Sequence, residues 1–269
     1  MNRLQHVDVP QAKRSTPRVN KSTNRLSMRH ESQPNFHQFI PLHYEKNYAY
    51  PLIVWLHGPT GSENEVSQVM PHVSMRNFLG VSPRGVVTHP LRHPNGDPTF
   101  TWNQDSQSIE WAIDDVLKCI DNAKRRFNVA PNRIFLAGND VGGTMALRIA
   151  LTLPQMFAGV ASIGGPMPDT SRPLAGFHAA RSMPVLLMQG RESEDYDAGR
   201  LCGDIRLLHS AGMQLNVRQY PCGQEVTTKM LSDLNAWIME RVAGAGAGVC
   251  SDATICEDDP THLRARDCN

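Results

Sequence analysis

Arg133-Ile-Phe-Leu-Ala-Gly-Asn-Asp-Val-Gly-Gly143 decides how this chain folds. Arg133 to Ala137 is an apolar run of strand length. From about Gly142 to Leu153 the chain reads as a helix, which stops at Pro154. Gly138 to Gly143 joins the two in a tight turn. A strand that passes through glycines straight into a helix is the unit of a mostly parallel sheet covered by helices.

The same alternation extends in both directions. Upstream, Leu52-Ile-Val-Trp-Leu56 is continuously apolar and ends at His57-Gly58, as a strand buried on both faces should. Positions 38 to 43 read as a short edge strand that tolerates Pro41. Val66, Val69, Met70 and Val73 fall at helical spacing between Glu63 and Arg76, and Phe78 to Ser82 is another strand. Ile109, Ile113, Val116, Leu117 and Ile120 form one stripe of a long helix, with Asp105, Ser106 or Ser108 as its cap. Pro131-Asn132 is expected to break the chain before the strand at Arg133. Downstream, Gly159–Ile163 and Pro184–Met188 are strands, Asp197–Ser210 is a helix, and Met213–Tyr220 alternates with period two. Val226, Met230, Leu231, Leu234, Trp237 and Ile238 mark a last helix. The fold class is α/β, with helices on both faces of the sheet.

Composition bounds the rest. The chain has 269 residues, 40% apolar and 20% charged, enough for one α/β domain with tails. The formal net charge of +1 argues against a broad nucleic-acid or membrane field. No apolar run reaches the roughly 20 residues of a membrane span, and no apolar segment follows the basic N-terminus. Residues 1–35 carry seven basic and two acidic residues without apolar periodicity, and read as a disordered basic arm. The domain is expected over 36–242, with a Gly/Ala linker and a polar, Cys-bearing tail over 243–269. The glycines of 243–248 follow a helix and not a strand, so they are a linker and not a phosphate loop. Six scattered cysteines lack C-x-x-C spacing, which fits unpaired thiols in a cytoplasmic protein and no metal site. Nothing in the sequence calls for a cofactor or sets an oligomeric state.

Three segments carry a resemblance: Val54-Trp-Leu-His-Gly58, Val81-Ser-Pro-Arg-Gly85 and the opening stretch from Arg133 to Gly143. Together with Pro184–Gly190 and Tyr220-Pro-Cys-Gly223, over about residues 37 to 242, they resemble the phospholipase/carboxylesterase branch of the α/β-hydrolases, which includes acyl-protein thioesterases. The resemblance implies the α/β-hydrolase fold, a small ester-like ligand, and a nucleophile, an acid and a histidine base in that chain order. It also implies backbone N–H groups that receive the oxyanion.

Four implied positions depart from the pattern. The Gly-x-Ser-x-Gly turn that lifts a serine above the sheet holds Asp140 in the serine's place. That version of the turn looks like the one in haloalkane dehalogenases and epoxide hydrolases, whose nucleophile is Asp. The same residue also reads as a helix N-cap with a carboxylate held ionised. Gln224 stands where the base should be and cannot accept a proton near neutral pH. His57, His89, His93 and His178 are the other histidines nearest the motifs, none placed to replace it. The acid's place is Ser193, with Glu194 or Asp195 as carboxylates one or two residues on. Val141 supplies one oxyanion N–H, but the second position is Pro59, which has none. Three readings follow: a pseudo-hydrolase that binds without turnover; a hydrolase of esters, thioesters or epoxides with Asp140 as nucleophile or as base for water, helped by a histidine from the 86–103 loop; and an interaction protein using its arm and tail.

Overall fold

The computed structural model describes residues 35–87, 98–169 and 180–244. Seven strands form one sheet in the order β1-β3-β2-β6-β7-β8-β9. They are β1 (Phe36–Phe39), β2 (Tyr50–Leu56), β3 (Leu79–Pro83), β6 (Val129–Asn139), β7 (Gly159–Ile163), β8 (Val185–Gly190) and β9 (Leu215–Tyr220). Only β1 runs antiparallel, against β3. Two short strands, β4 (Val86–Val87) and β5 (Phe100–Thr101), pair apart from it. The helices are α1 (Glu65–Val73), α2 (Ser106–Arg126), α3 (Val141–Thr152), α4 (Ala198–Ser210) and α5 (Thr228–Gly244).

The apolar runs explain the layering. All seven residues of β2 are buried, and its side chains alternate between two separate cores. Leu52, Val54 and Leu56 pack with Val116 and Ile120 of α2, Met145 of α3, and Leu201 and Leu208 of α4. Ile53 and Trp55 pack on the opposite face with Val66 and Met70 of α1 and Leu234 and Trp237 of α5. Each such side chain taken from water contributes about 1.5–3 kcal/mol. Helix starts are fixed locally: Asp105 accepts the Ser108 N–H (3.0 Å) at α2, and Asp197 accepts the Arg200 N–H (2.7 Å) at α4.

Two sequence expectations are corrected. The first strand ends at Phe39, before Pro41, because β1 must pair with β3 from Phe36 to Phe39 and a proline offers no N–H to continue it. Pro131-Asn132 does not break the chain. The strand runs from Val129 to Asn139, and the register with β2 jumps between Tyr50↔Val129 and Leu52↔Ile134, so the proline sits in an irregular bulge. The arm expected over 1–35 lies outside the described residues up to position 34, as does the tail from 245 on.

The sheet delivers its strand ends to one edge, where the elbow lies. A Cβ on Gly138 would fall on the Gly142 carbonyl, and one on Gly142 would fall on the carbonyl oxygens of Leu56 and His57. Gly142→Ala is therefore expected to destabilise the fold by about 3 kcal/mol or more, since the obstacle is backbone that cannot turn aside. Urea unfolding checks this; an unchanged midpoint would contradict the close packing.

Candidate active site

Asp140 occupies the elbow with φ +50° and ψ −118°, a region that side-chain-bearing residues rarely enter. Its N–H donates to Ile163 O (2.8 Å) and its carbonyl accepts the Thr144 N–H (3.0 Å), so the turn is held from both sides. The side chain makes no capping bond to α3. This corrects the N-cap expectation: a cap residue takes an extended backbone that brings its carboxylate over the second and third N–H groups, whereas Asp140 has a positive φ. Burial pushes its carboxyl above the usual carboxylate range; the Gln224 amide and Val141 N–H oppose this, and the nearby Asp195 charge adds to it. The expectation of a depressed value is thus reversed, because removal from water outweighs the donors.

Gln224 and Ser193 meet beside it. The loops after β8 and β9 are zipped by Arg191 N–H to Tyr220 O (2.8 Å) and Glu192 N–H to Cys222 O (3.0 Å). Gly190 permits this, because a Cβ there would overlap the Gly223 carbonyl. Ser193 Oγ donates to Gln224 Oε1 and accepts the Tyr196 N–H (3.1 Å). Gln224 Nε2 donates to Gly164 O (3.0 Å). The amide is therefore oriented at both ends. Ser193 is buried, whereas Glu194 and Asp195 are exposed. The position facing residue 224 belongs to Ser193, and the shift to Glu194 expected from the sequence does not occur, because the zipped loops set the register.

The oxyanion side is built from the loop after β2. Pro59 and Thr60 are exposed, and Thr60 is left-handed (φ +58°). Val141 follows the elbow, half-buried at the first turn of α3. The loop is anchored by two residues that the sequence reading passed over. Glu65 accepts the Trp55 Nε1–H (3.0 Å) and the Gly58 N–H (3.1 Å). Glu63 and Arg84 form a two-pronged ion pair, with Arg84 Nε 2.7 Å from Glu63 Oε2, and the guanidinium lies over Phe100 (4.8 Å to the ring centre). Two carboxylates at a helix start were the available signal, but their partners come from distant segments. A cleft of about 250 Å³ opens beside this loop, lined by Thr60, Gly61, Ser62, Asn64, Glu65 and Thr99 among others.

His57 is fully buried and fixed. Its Nε2 accepts the Gly85 N–H (3.0 Å), so Nδ1 carries the proton and donates to Gly58 O (2.8 Å). Both ring nitrogens are spent on backbone, and the imidazole lies against Trp102 (5.0 Å). It is a structural tie, not a base. His89, His93 and His178 lie outside the described residues. Among the described residues, no group of three His, Cys, Asp or Glu side chains converges to hold a metal ion. No described helix is long and apolar enough to cross a membrane.

A seven-stranded, mostly parallel sheet with an acidic elbow at the end of a central strand defines an α/β-hydrolase fold. The family model of phospholipases and carboxylesterases matches residues 42–239, and the chain belongs to that family. It is 26% identical over 218 residues to carboxylesterase SOBER1 of Arabidopsis thaliana, covering 74% of this chain and 94% of the relative. The SOBER1 crystal structure superposes with a TM-score of 0.61 at 23% identity, over 72% of this chain and all of the other. Acyl-protein thioesterase 2 of Zea mays superposes at 0.59 with 15% identity, over 77% of this chain and 98% of the other.

Two predictions arise from this geometry. Backbone strain at such a position costs on the order of 1–3 kcal/mol, so Asp140→Gly is expected to raise stability by about 1 kcal/mol in thermal unfolding. A lower melting temperature would contradict the strained turn. Burial holds the His57 pKa below its ordinary 6.5. The unfolded chain then binds the proton more readily than the native one. Stability is full above pH 6.5 and falls as pH drops from there through the lowered native value. Urea midpoints measured downward from about pH 7.5 should decline, and His57→Asn should flatten that decline.

Proposed function

We propose that this member of the family binds a small ester-like ligand without serine-type turnover. The observation that carries this reading is the hydrogen-bonded set Asp140, Gln224 and Ser193. It occupies the nucleophile, base and acid positions and contains no group able to take a proton from a nucleophile and pass it on. Gln224 is tied at both ends, and His57 is locked away from the elbow. Pro59 removes one oxyanion donor, a loss worth about 10²–10³ in rate by itself. The free Cys119, Cys202 and Cys222 support a reducing, cytoplasmic setting as part of the same reading, which takes the domain as bounded at about 36 and 242.

A second reading keeps Asp140 as a nucleophile. Its support is the strained elbow itself, which holds an uncapped carboxylate where a nucleophile would stand. It still needs a base to activate water for the covalent ester. The interaction-protein reading draws on the arm and tail alone.

Purified protein is expected to give no turnover of p-nitrophenyl butyrate, a butyryl thioester or styrene oxide above that of Asp140→Asn. Turnover lost in Asp140→Asn would sink the binding reading and favour the nucleophilic one. The triple variant Asp140→Ser, Ser193→Asp, Gln224→His is expected to gain measurable esterase kcat/KM. Adding Pro59→Gly should raise it by a further factor of roughly 10²–10³.

A further inference from the structure

We propose that, whatever the elbow binds, the opposite end of the domain is the contact face of a symmetric dimer, with a second copy of this chain as its occupant. Seven large apolar side chains are exposed among the described residues. Val87 and Val217 stand apart, on β4 and β9. The other five, Ile40, Leu42, Tyr48, Met75 and Met239, are 37% to 48% exposed and belong to three neighbouring segments. The Leu42 N–H donates to the Met75 carbonyl (2.7 Å), which joins the loop before β2 to the end of α1. Tyr48 and Met239 line one cleft of about 220 Å³ with Arg76 and Asn77, and Asn77 Nδ2 lies 3.9 Å from Met239 Sδ, so α5 closes the patch. Single exposed apolar residues are ordinary, whereas a contiguous set marks an interaction surface, and methionines adapt to a partner's shape.

The face is preformed and self-complementary. Tyr50 Oη accepts the Glu45 N–H (3.1 Å), and the Tyr48 ring packs edge-on against Tyr50 (4.6 Å between centres), so the loop needs little ordering when it docks. Glu45 and Arg76 line the same cleft and are both exposed, and neither side chain has an ionic or hydrogen-bonded partner among the described residues. A free carboxylate and a free guanidinium on one apolar patch suit a two-fold axis, about which Glu45 of each protomer meets the partner's Arg76. An unrelated partner would have to supply both signs in matching order; a second copy does so by symmetry. Pairing here leaves the functional edge open. β2 runs from Tyr50 at this face to Leu56, where the oxyanion loop begins, and α5 runs from Thr228, near Gln224, back to Gly244.

The test is sedimentation equilibrium of the full chain from about 5 to about 500 µM, with reductant so that the exposed Cys202 forms no disulfide. A monomer–dimer equilibrium is expected. Glu45→Arg and Arg76→Glu should each weaken it about tenfold or more, since each replaces two attractive contacts, worth roughly threefold apiece, by repulsion. The combined variant should return it to within about threefold of the native chain. Leu42→Ser with Met75→Ser, both at exposed side chains, should also weaken it about tenfold or more. One readout needs no variant: diluting the native chain should shift the NMR amide signals of residues 40–48, 74–77 and 236–242 and leave those of 140–143 in place. A monomer across the whole range would overturn the proposal. NOEs from the Met75 and Met239 methyl groups to residues 245–269 would then assign the patch to the chain's own C-terminal segment, and their absence to a different protein. A dimer indifferent to the charge reversals, or one that the combined variant does not restore, would overturn it equally, as would dilution shifts confined to β9.

Discussion

Everything at the functional edge depends on how closely the start of α3 approaches the ends of β2 and β6. Gly138 and Gly142 have no Cβ because backbone carbonyls occupy the space one would need. The approach forces residue 140 into its left-handed corner and presents its side chain outward. Gly165 extends the constraint to the loop after β7, where a Cβ would fall on the Asp140 carbonyl. The turn thus stays shaped for a nucleophile whatever residue stands there. Its geometry is a property of the surrounding backbone, and its chemistry is a property of one side chain.

The pair behind it leaves no polar group of its own without a partner. A buried carboxylate needs a donor or cation opposite it, or the cost of removing it from water goes unmet. Ser193 and Gln224 satisfy one another as neutral groups, and each also bonds to backbone, at Tyr196 and Gly164. A carboxylate at 193 alone would face the Gln224 carbonyl oxygen and leave the pair poorly matched.

The sheet was legible because its signal is local. β2 is apolar throughout, β9 alternates, and the elbow glycines stand next to each other in the chain. Asp140, Val141 and Pro59 could be placed from motifs for the same reason. The misreadings came where distant segments decide. Ser193 and not Glu194 faces Gln224, because backbone bonds between two loops about 30 residues apart set the register. The Asp140 pKa rises instead of falling, since burial, which no spacing reveals, dominates. Glu63 and Glu65 carry no signal of their own in the sequence, and only folding brings Arg84, Trp55 and the Gly58 N–H to them.

The two-ended bonding of Gln224 also decides how the pair would receive a charged group at either position. With a carboxylate at 193, the amide would have to rotate to offer Nε2, which turns its carbonyl against Gly164 O. With histidine at 224, Ser193 Oγ still has a lone pair for an imidazole N–H while keeping the Tyr196 bond. Mutational paths back to a charged couple are thus unequal, and histidine is the easier first step. The neutral couple thus yields at position 224 more readily than at position 193.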